Sequence, residues 1–115
     1  MKEIKAYVQR HFVNNTVDAL ERAGAPGITI VEIHPVGYGY QANYFGFQPE
    51  DAFKRYGNLC VVKLEIVCAD QDWERFVKVI EDTCRTGAKG DGRIFVTDVV
   101  GAVRIRDGLR GEKAL

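Results

Sequence analysis

The 115-residue sequence predicts an α+β domain, on three observations. Short apolar/polar alternations of strand length recur along the chain. Two segments instead repeat their apolar residues at helical spacing, and they are separated by strands rather than adjacent. The apolar share, 46%, suffices for one real core in a chain of this length, while 28% charged residues suit a solvated surface. The whole chain, 1–115, therefore reads as a single domain.

Ile4, Ala6 and Val8 alternate with Lys5, Tyr7 and Gln9, which predicts a first strand. Asn14 or Asn15 is placed to cap a helix with Val17, Leu20 and Ala23 on one face, and Gly24 is placed to stop it. After the turn Ala25-Pro26-Gly27, the β-branched run Ile28 to Ile33 predicts a second strand. Leu59 to Cys68 predicts a third, with Cys60, Val62, Leu64 and Ile66 facing inward and Lys63 and Glu65 outward. Asp70 or Asp72 is placed to cap a second helix in which Trp73, Phe76, Val77, Ile80 and Cys84 recur, with Gly87 as its stop. Arg93 to Val99 predicts a fourth strand and Val103 to Arg106 a short C-terminal one. The order βαββαβ is the split βαβ, or ferredoxin-like, pattern, with both helices on one face of a four-stranded antiparallel sheet.

That layout leaves one sheet face uncovered, and Tyr7, Val31, Ile33, Val61, Val67, Phe95 and Val99 are assigned to it. An apolar face of this size implies self-association, with three sheets around an axis as one solution. The stretch 34–58 is too long for a simple strand connection and carries Tyr38, Tyr40, Tyr44, Phe45, Phe47, Phe53 and Tyr56. Such a loop either docks on a partner or packs locally, as in an extra hairpin.

The 16 basic residues balance the 16 acidic ones, so no general field draws the chain to nucleic acid or to an anionic membrane. Neither a signal-peptide core nor an apolar run long enough to span a bilayer is present, which predicts a cytoplasmic protein with no direct membrane insertion. Cys60, Cys68 and Cys84 lack metal-site spacing and fall at core positions, so they read as reduced buried thiols. His11 and His34 have no second ligand at a recognisable spacing.

Anion recognition must then be local, and one segment is built for it. Thr86-Gly87-Ala88-Lys89-Gly90-Asp91-Gly92-Arg93 sets glycines among two cations between a helix and a strand. Glycine lets main-chain N–H groups approach a phosphate, and Lys89 and Arg93 supply charge. Helix before strand excludes both the dinucleotide fingerprint and the P-loop, which follow a strand and open a helix. A plain glycine turn is the competing reading. In Val103-Arg104-Ile105-Arg106, an extended strand projects both guanidiniums from one face, a pairing suited to phosphate, whereas a solvated edge strand is the simpler alternative.

The chain resembles the PII signal-transduction family over almost its full length, the central loop excepted. Three motifs carry the resemblance: Thr86 to Val96 is similar to that family's B-loop, Val103 to Gly108 to its C-terminal loop, and Gly24 to Ile30 to the segment before its second strand. The resemblance implies a homotrimer of ferredoxin-like subunits that binds ATP or ADP in the clefts between neighbours, with Mg²⁺ as an allowed companion. It implies that Gly90, Asp91, Gly92 and Arg93 hold phosphates, that Arg104 and Arg106 reach across from the neighbouring subunit, and that Gly27, Ile28, Thr29, Glu65 and Val67 surround the adenine and ribose. Gly37 matches a glycine at the base of the long loop, through which relatives dock on a target protein, in some cases a membrane transporter. Relatives that sense 2-oxoglutarate carry a glutamine and a lysine where this chain has Gly39 and Val61, although Gln41 lies close by, and no tyrosine here matches the one that some relatives have uridylylated.

Three rival functions follow from the same residues. A nucleotide-hydrolysing enzyme would use Lys89 and Asp91, but no nucleophile–base set accompanies them, so the reading is non-enzymatic. An RNA-recognition module shares the βαββαβ order but displays sheet aromatics that Arg93 to Asp98 lacks. A metal-binding trimer of similar fold would rely on His34, Cys60 and nearby carboxylates.

Overall fold

The computed structural model describes residues 1–33 and 61–115. Strand β1 (Lys2–Gln9) lies in the interior of the sheet, and its alternation buries Ile4, Ala6 and Val8 under the helices. It pairs antiparallel with β3 (Val61–Cys68) on one side and β4 (Arg93–Asp98) on the other, and β2 (Thr29–Glu32) completes the order β2-β3-β1-β4. Helices α1 (Val13–Arg22) and α2 (Trp73–Cys84) both pack toward the buried face, where Leu20, Leu64, Ile66, Phe76 and Ile80 form the centre of the core. This is the ferredoxin-like arrangement expected from the sequence.

Helix α1 departs from expectation at its start. A 3₁₀ turn, Arg10–Phe12, leads straight from β1 into the helix, and the Val13 N–H donates to the Arg10 carbonyl. Neither Asn14 nor Asn15 caps the helix: the N-cap position falls on Phe12, and both asparagines are exposed within the first turn. At the other end Gly24, at φ +91°, stops the helix as predicted. Its N–H donates to the Glu21 carbonyl and the Ala25 N–H to that of Leu20, a Schellman closure.

Helix α2 starts after Asp72, but the Asp72 carboxylate makes no cap bond and accepts instead from Arg75 Nη1 at 2.9 Å. The helix ends at Cys84 because Arg85 turns extended, so Gly87 lies beyond the end and does not terminate it. Thr16 is fully buried between the helices. Its hydroxyl reaches the Phe12 carbonyl at 2.9 Å, the Thr83 hydroxyl at 2.8 Å and Cys84 Sγ at 3.3 Å, which satisfies a polar group that burial would otherwise penalise. Cys68 and Cys84 are buried and free, as expected, and Cys60 lies outside the described residues.

The uncovered sheet face is mixed, as the outward Lys63 and Glu65 predict, and Val61, expected to be exposed on it, is instead buried. Tyr7 and Phe95 meet edge to face, with centroids 5.9 Å apart, and Val31 and Val67 share the surface. Between them run the pairs Lys63–Glu65 at 2.7 Å and Lys5–Glu3 at 3.2 Å. Ile33 and Val99 fall just outside the strands.

The expected strand Val103–Arg106 does not form. After β4 the chain makes a hairpin closed by a single bridge between Val103 and Arg110, with Gly108 at φ +73° in its turn. The Gly108 N–H donates to the Arg104 carbonyl and the Arg104 N–H to that of Leu109, both at 2.8 Å. Asp107-Gly108 reverses the chain where the alternation alone had suggested extension. On this arm Val100 and Ile105 are almost fully exposed. The long loop 34–58, including Gly37, lies outside the described residues, as do the aromatic residues assigned to it.

Candidate functional site

The loop between α2 and β4 is held in shape by the protein's own bonds. The Asp91 carboxylate folds back to accept the Thr86 and Gly87 N–H groups, each at 2.8 Å, and the Thr86 hydroxyl as well. That hydroxyl first, and the two amides after it, hold the Asp91 carboxyl below the usual carboxylate range against the opposing effect of partial burial. Gly90 and Gly92 adopt φ of +96° and +105°. At Gly92 the requirement is steric as well as conformational, because a Cβ there would stand 1.7 Å from the Tyr7 carbonyl oxygen. Gly90 is buried, and its carbonyl accepts from Gln9 Nε2 at 2.9 Å.

Asp91, Gly92 and Arg93 also line a groove of about 450 Å³ that runs between β4 and α2, with Trp73, Val77 and Ile94 along its apolar part. The groove's other carboxylate, Glu81, pairs with Arg85 at 2.5 Å. Both carboxylates beside the loop are therefore engaged by protein donors.

A second cleft, of about 280 Å³, is formed by Glu3, Pro26, Gly27, Thr29, Glu65 and Val67, with Leu115 at its margin. The register sets Thr29 opposite Glu65, so the start of β2 and the middle of β3 share this wall. Four of the expected residues (Gly27, Thr29, Glu65 and Val67) thus come together, whereas Ile28 packs against the core. The C-terminal arm ends at the same cleft, through Leu115.

The two arginines of the C-terminal arm do not project from one strand face, because the hairpin turn lies between and after them. They nevertheless converge on one carboxylate. Arg104 clasps Asp107 through Nε and Nη2, at 2.8 to 3.2 Å, and Arg106 Nη2 stands 3.9 Å from the same group. The Arg104 guanidinium, and then the Leu109 N–H, hold the Asp107 carboxyl below its ordinary range.

The two clusters occupy opposite edges of the sheet. Gly90 to Arg93 sit at the β4 edge, and Gly27 to Thr29 at the β2 edge, three interstrand steps or roughly 14 Å away. Gln9, Thr86 and Asp107 were not among the expected site residues. Thr86 and Asp107 lay inside the quoted motifs, whereas Gln9 meets Gly90 across 81 residues of chain.

Val61 is buried opposite Gln9 and supplies no charge. Among the described residues no group of three or more His, Cys, Asp or Glu side chains is placed to hold a metal, and His34 and Cys60 lie outside them. No helix among the described residues is long and apolar enough to cross a membrane.

Residues 1–109 match the model of the family described as Nitrogen regulatory protein P-II. Nitrogen regulatory protein P-II 1 of Methanothermobacter thermautotrophicus is 38% identical, over 100% of this chain and 97% of that relative. Proteins named Nitrogen regulatory protein P-II from Rhizobium meliloti and Azospirillum brasilense are 34% and 36% identical, in each case over 100% of both chains.

Proposed function

The chain belongs to the nitrogen regulatory protein P-II family, and from that premise we propose that it is a single-domain regulator binding ATP or ADP between neighbouring copies of a trimer. The observation that carries this reading is the placement of two complementary half-sites on opposite edges of one sheet. A ring of copies sets the β4 edge of one against the β2 edge of the next. Gly90, Asp91, Gly92 and Arg93 then hold the phosphates from one side, while Arg104 and Arg106 approach from the other. Gly27, Thr29, Glu65 and Val67 surround the adenine and ribose, with Ile28 behind them against the core, and Gly37 stands at the base of the signalling loop. Exposed Phe95, Val100 and Ile105 support association, since apolar side chains so open to water favour burial against a second copy.

The reading is non-enzymatic. A general base for water needs a pKa near the working pH, whereas the Asp91 carboxyl is held low and its oxygens accept from Thr86 and Gly87. Those bonds also keep Asp91 from serving a metal, so a Mg²⁺ accompanying the nucleotide is carried by the phosphates. The nucleotide state passes to a target protein through the loop 34–58, and a membrane transporter is the target class taken from relatives. ATP and ADP differ in effect only as far as they differ in affinity for two arrangements of that loop.

Isothermal titration with ATP, ADP and AMP, alongside light scattering for the assembly state, tests the proposal. Saturable binding of ATP and ADP to a trimer is expected. No binding at millimolar nucleotide, or a monomer that binds with full affinity, rejects it.

A further inference from the structure

A side-chain bond from β1 ties the glycine loop to the sheet. Tyr7 and Gln9 stand two residues apart, so their side chains share the uncovered sheet face. The Tyr7 carbonyl forms the floor against which Gly92 packs, and Gln9 Nε2 donates to the Gly90 carbonyl at 2.9 Å. The carbonyl must accept, so the donor in this bond is the amide nitrogen of the glutamine.

The peptide joining Gly90 to Asp91 is trans, as is every peptide among the described residues. In a trans peptide the carbonyl and the N–H point in opposite directions across one rigid plane. Fixing the Gly90 carbonyl toward Gln9 therefore fixes the Asp91 N–H away from β1. Glycine at Gly90, at φ +96°, places fewer steric limits on that plane than any other residue would, so a bond to its carbonyl helps to set the orientation.

We infer that Gln9 is a positioning residue for the phosphate loop, holding the Gly90 carbonyl so that the Asp91 N–H is turned outward as an anion donor. The inference rests on the nucleotide reading given above. Gln9 touches no ligand in this role. It removes from the binding step the cost of orienting a glycine-flanked peptide, which is how preorganisation raises affinity.

Three proteins test it: wild type, Gln9→Met, which keeps length and loses the donor, and Gln9→Lys, which restores a donor of similar reach. In the ligand-free protein, amide exchange at residues 90–92 rises in Gln9→Met and stays near wild type in Gln9→Lys, while exchange in β1 and β3 is the same in all three. The Kd for ATP and for inorganic triphosphate weakens by about tenfold in Gln9→Met, by the same factor for both, with the melting midpoint unmoved, and recovers in Gln9→Lys. Wild-type exchange in the loop of Gln9→Met, or wild-type affinity in it, overturns the role of Gln9 alone. A fall in affinity that Gln9→Lys does not recover also overturns it. Wild-type protein that binds neither ATP nor triphosphate overturns the nucleotide reading and this role together.

Discussion

The Asp91 carboxylate lies on the Thr86 and Gly87 amides at 2.8 Å each, so the loop that faces a prospective phosphate is closed around an anion of its own. The arrangement separates two tasks within one segment. Thr86 and Gly87 give their N–H groups to Asp91 and fix the loop, which leaves the glycines nearer β4 to meet the ligand. Asp91→Asn keeps the shape and loses the charge, and it is expected to weaken ATP binding by about tenfold, since hydrogen bonds to a charged group are the stronger kind. Titration calorimetry of the variant checks this.

The same bonds predict a pH response. The folded-state pKa of Asp91 is lowered from its ordinary 3.8, so the contribution of these bonds is fully present above that value. It is lost as pH falls through the lowered pKa. Amide exchange at Gly87, followed by NMR, is expected to stay slow down to about pH 4 and to rise only below it.

Gly92 and Gly87 share positive φ but differ in their surroundings. A Cβ at Gly92 meets the Tyr7 carbonyl oxygen, whereas at Gly87 nothing lies within 4 Å. Gly92→Ala is therefore expected to destabilise the fold by about 3 kcal/mol or more, and Gly87→Ala by about 1 kcal/mol. Urea unfolding of the two variants gives the contrast directly.

Arg104 and Asp107 form an exposed pair, which contributes little to stability in such a setting. Arg104→Ala is expected to leave the melting midpoint unchanged and to weaken ATP binding by at least about tenfold, because a two-pronged phosphate contact is lost. Comparing thermal melts with ATP titrations separates the two effects.

Burial pushes the Cys68 thiol up, with Asp72 adding to the effect, and Cys84 is buried beside Thr16. Both thiols are expected to resist alkylation in native buffer and to react within minutes in denaturant. Peptide mapping after a timed iodoacetamide pulse reads each site separately.

Much of this architecture is written in local pattern. Period-two alternation marks β1 and β3 because each buries one face under helices, and Trp73, Phe76, Ile80 and Cys84 mark α2 for the same reason. The glycine loop is legible because its composition has few other uses. The misreadings occur where two local signals compete. Asn14 and Asn15 suggest a cap, but the 3₁₀ turn from β1 starts the helix before them. Val103 to Arg106 alternates like a strand, yet Asp107-Gly108 closes a hairpin that leaves a single bridge. What no local pattern carries is the meeting of distant residues. Gln9 reaches Gly90, and Gly27 to Thr29 stand an entire sheet away from Arg93, only because β1 lies inside the sheet and β2 and β4 at its edges.

The central claim is that one nucleotide is held by two copies of the chain, and mixing two defective variants tests it most directly. Arg93→Ala disables the half-site at the β4 edge and Arg104→Ala the half-site on the C-terminal arm. When the two proteins are unfolded together and reassembled, clefts pairing the intact Arg93 of one with the intact Arg104 of the other are restored. The mixture is expected to regain ATP binding of wild-type affinity at a fraction of its sites, although neither variant binds so alone. A reassembled mixture that binds no better than its two components would contradict the claim.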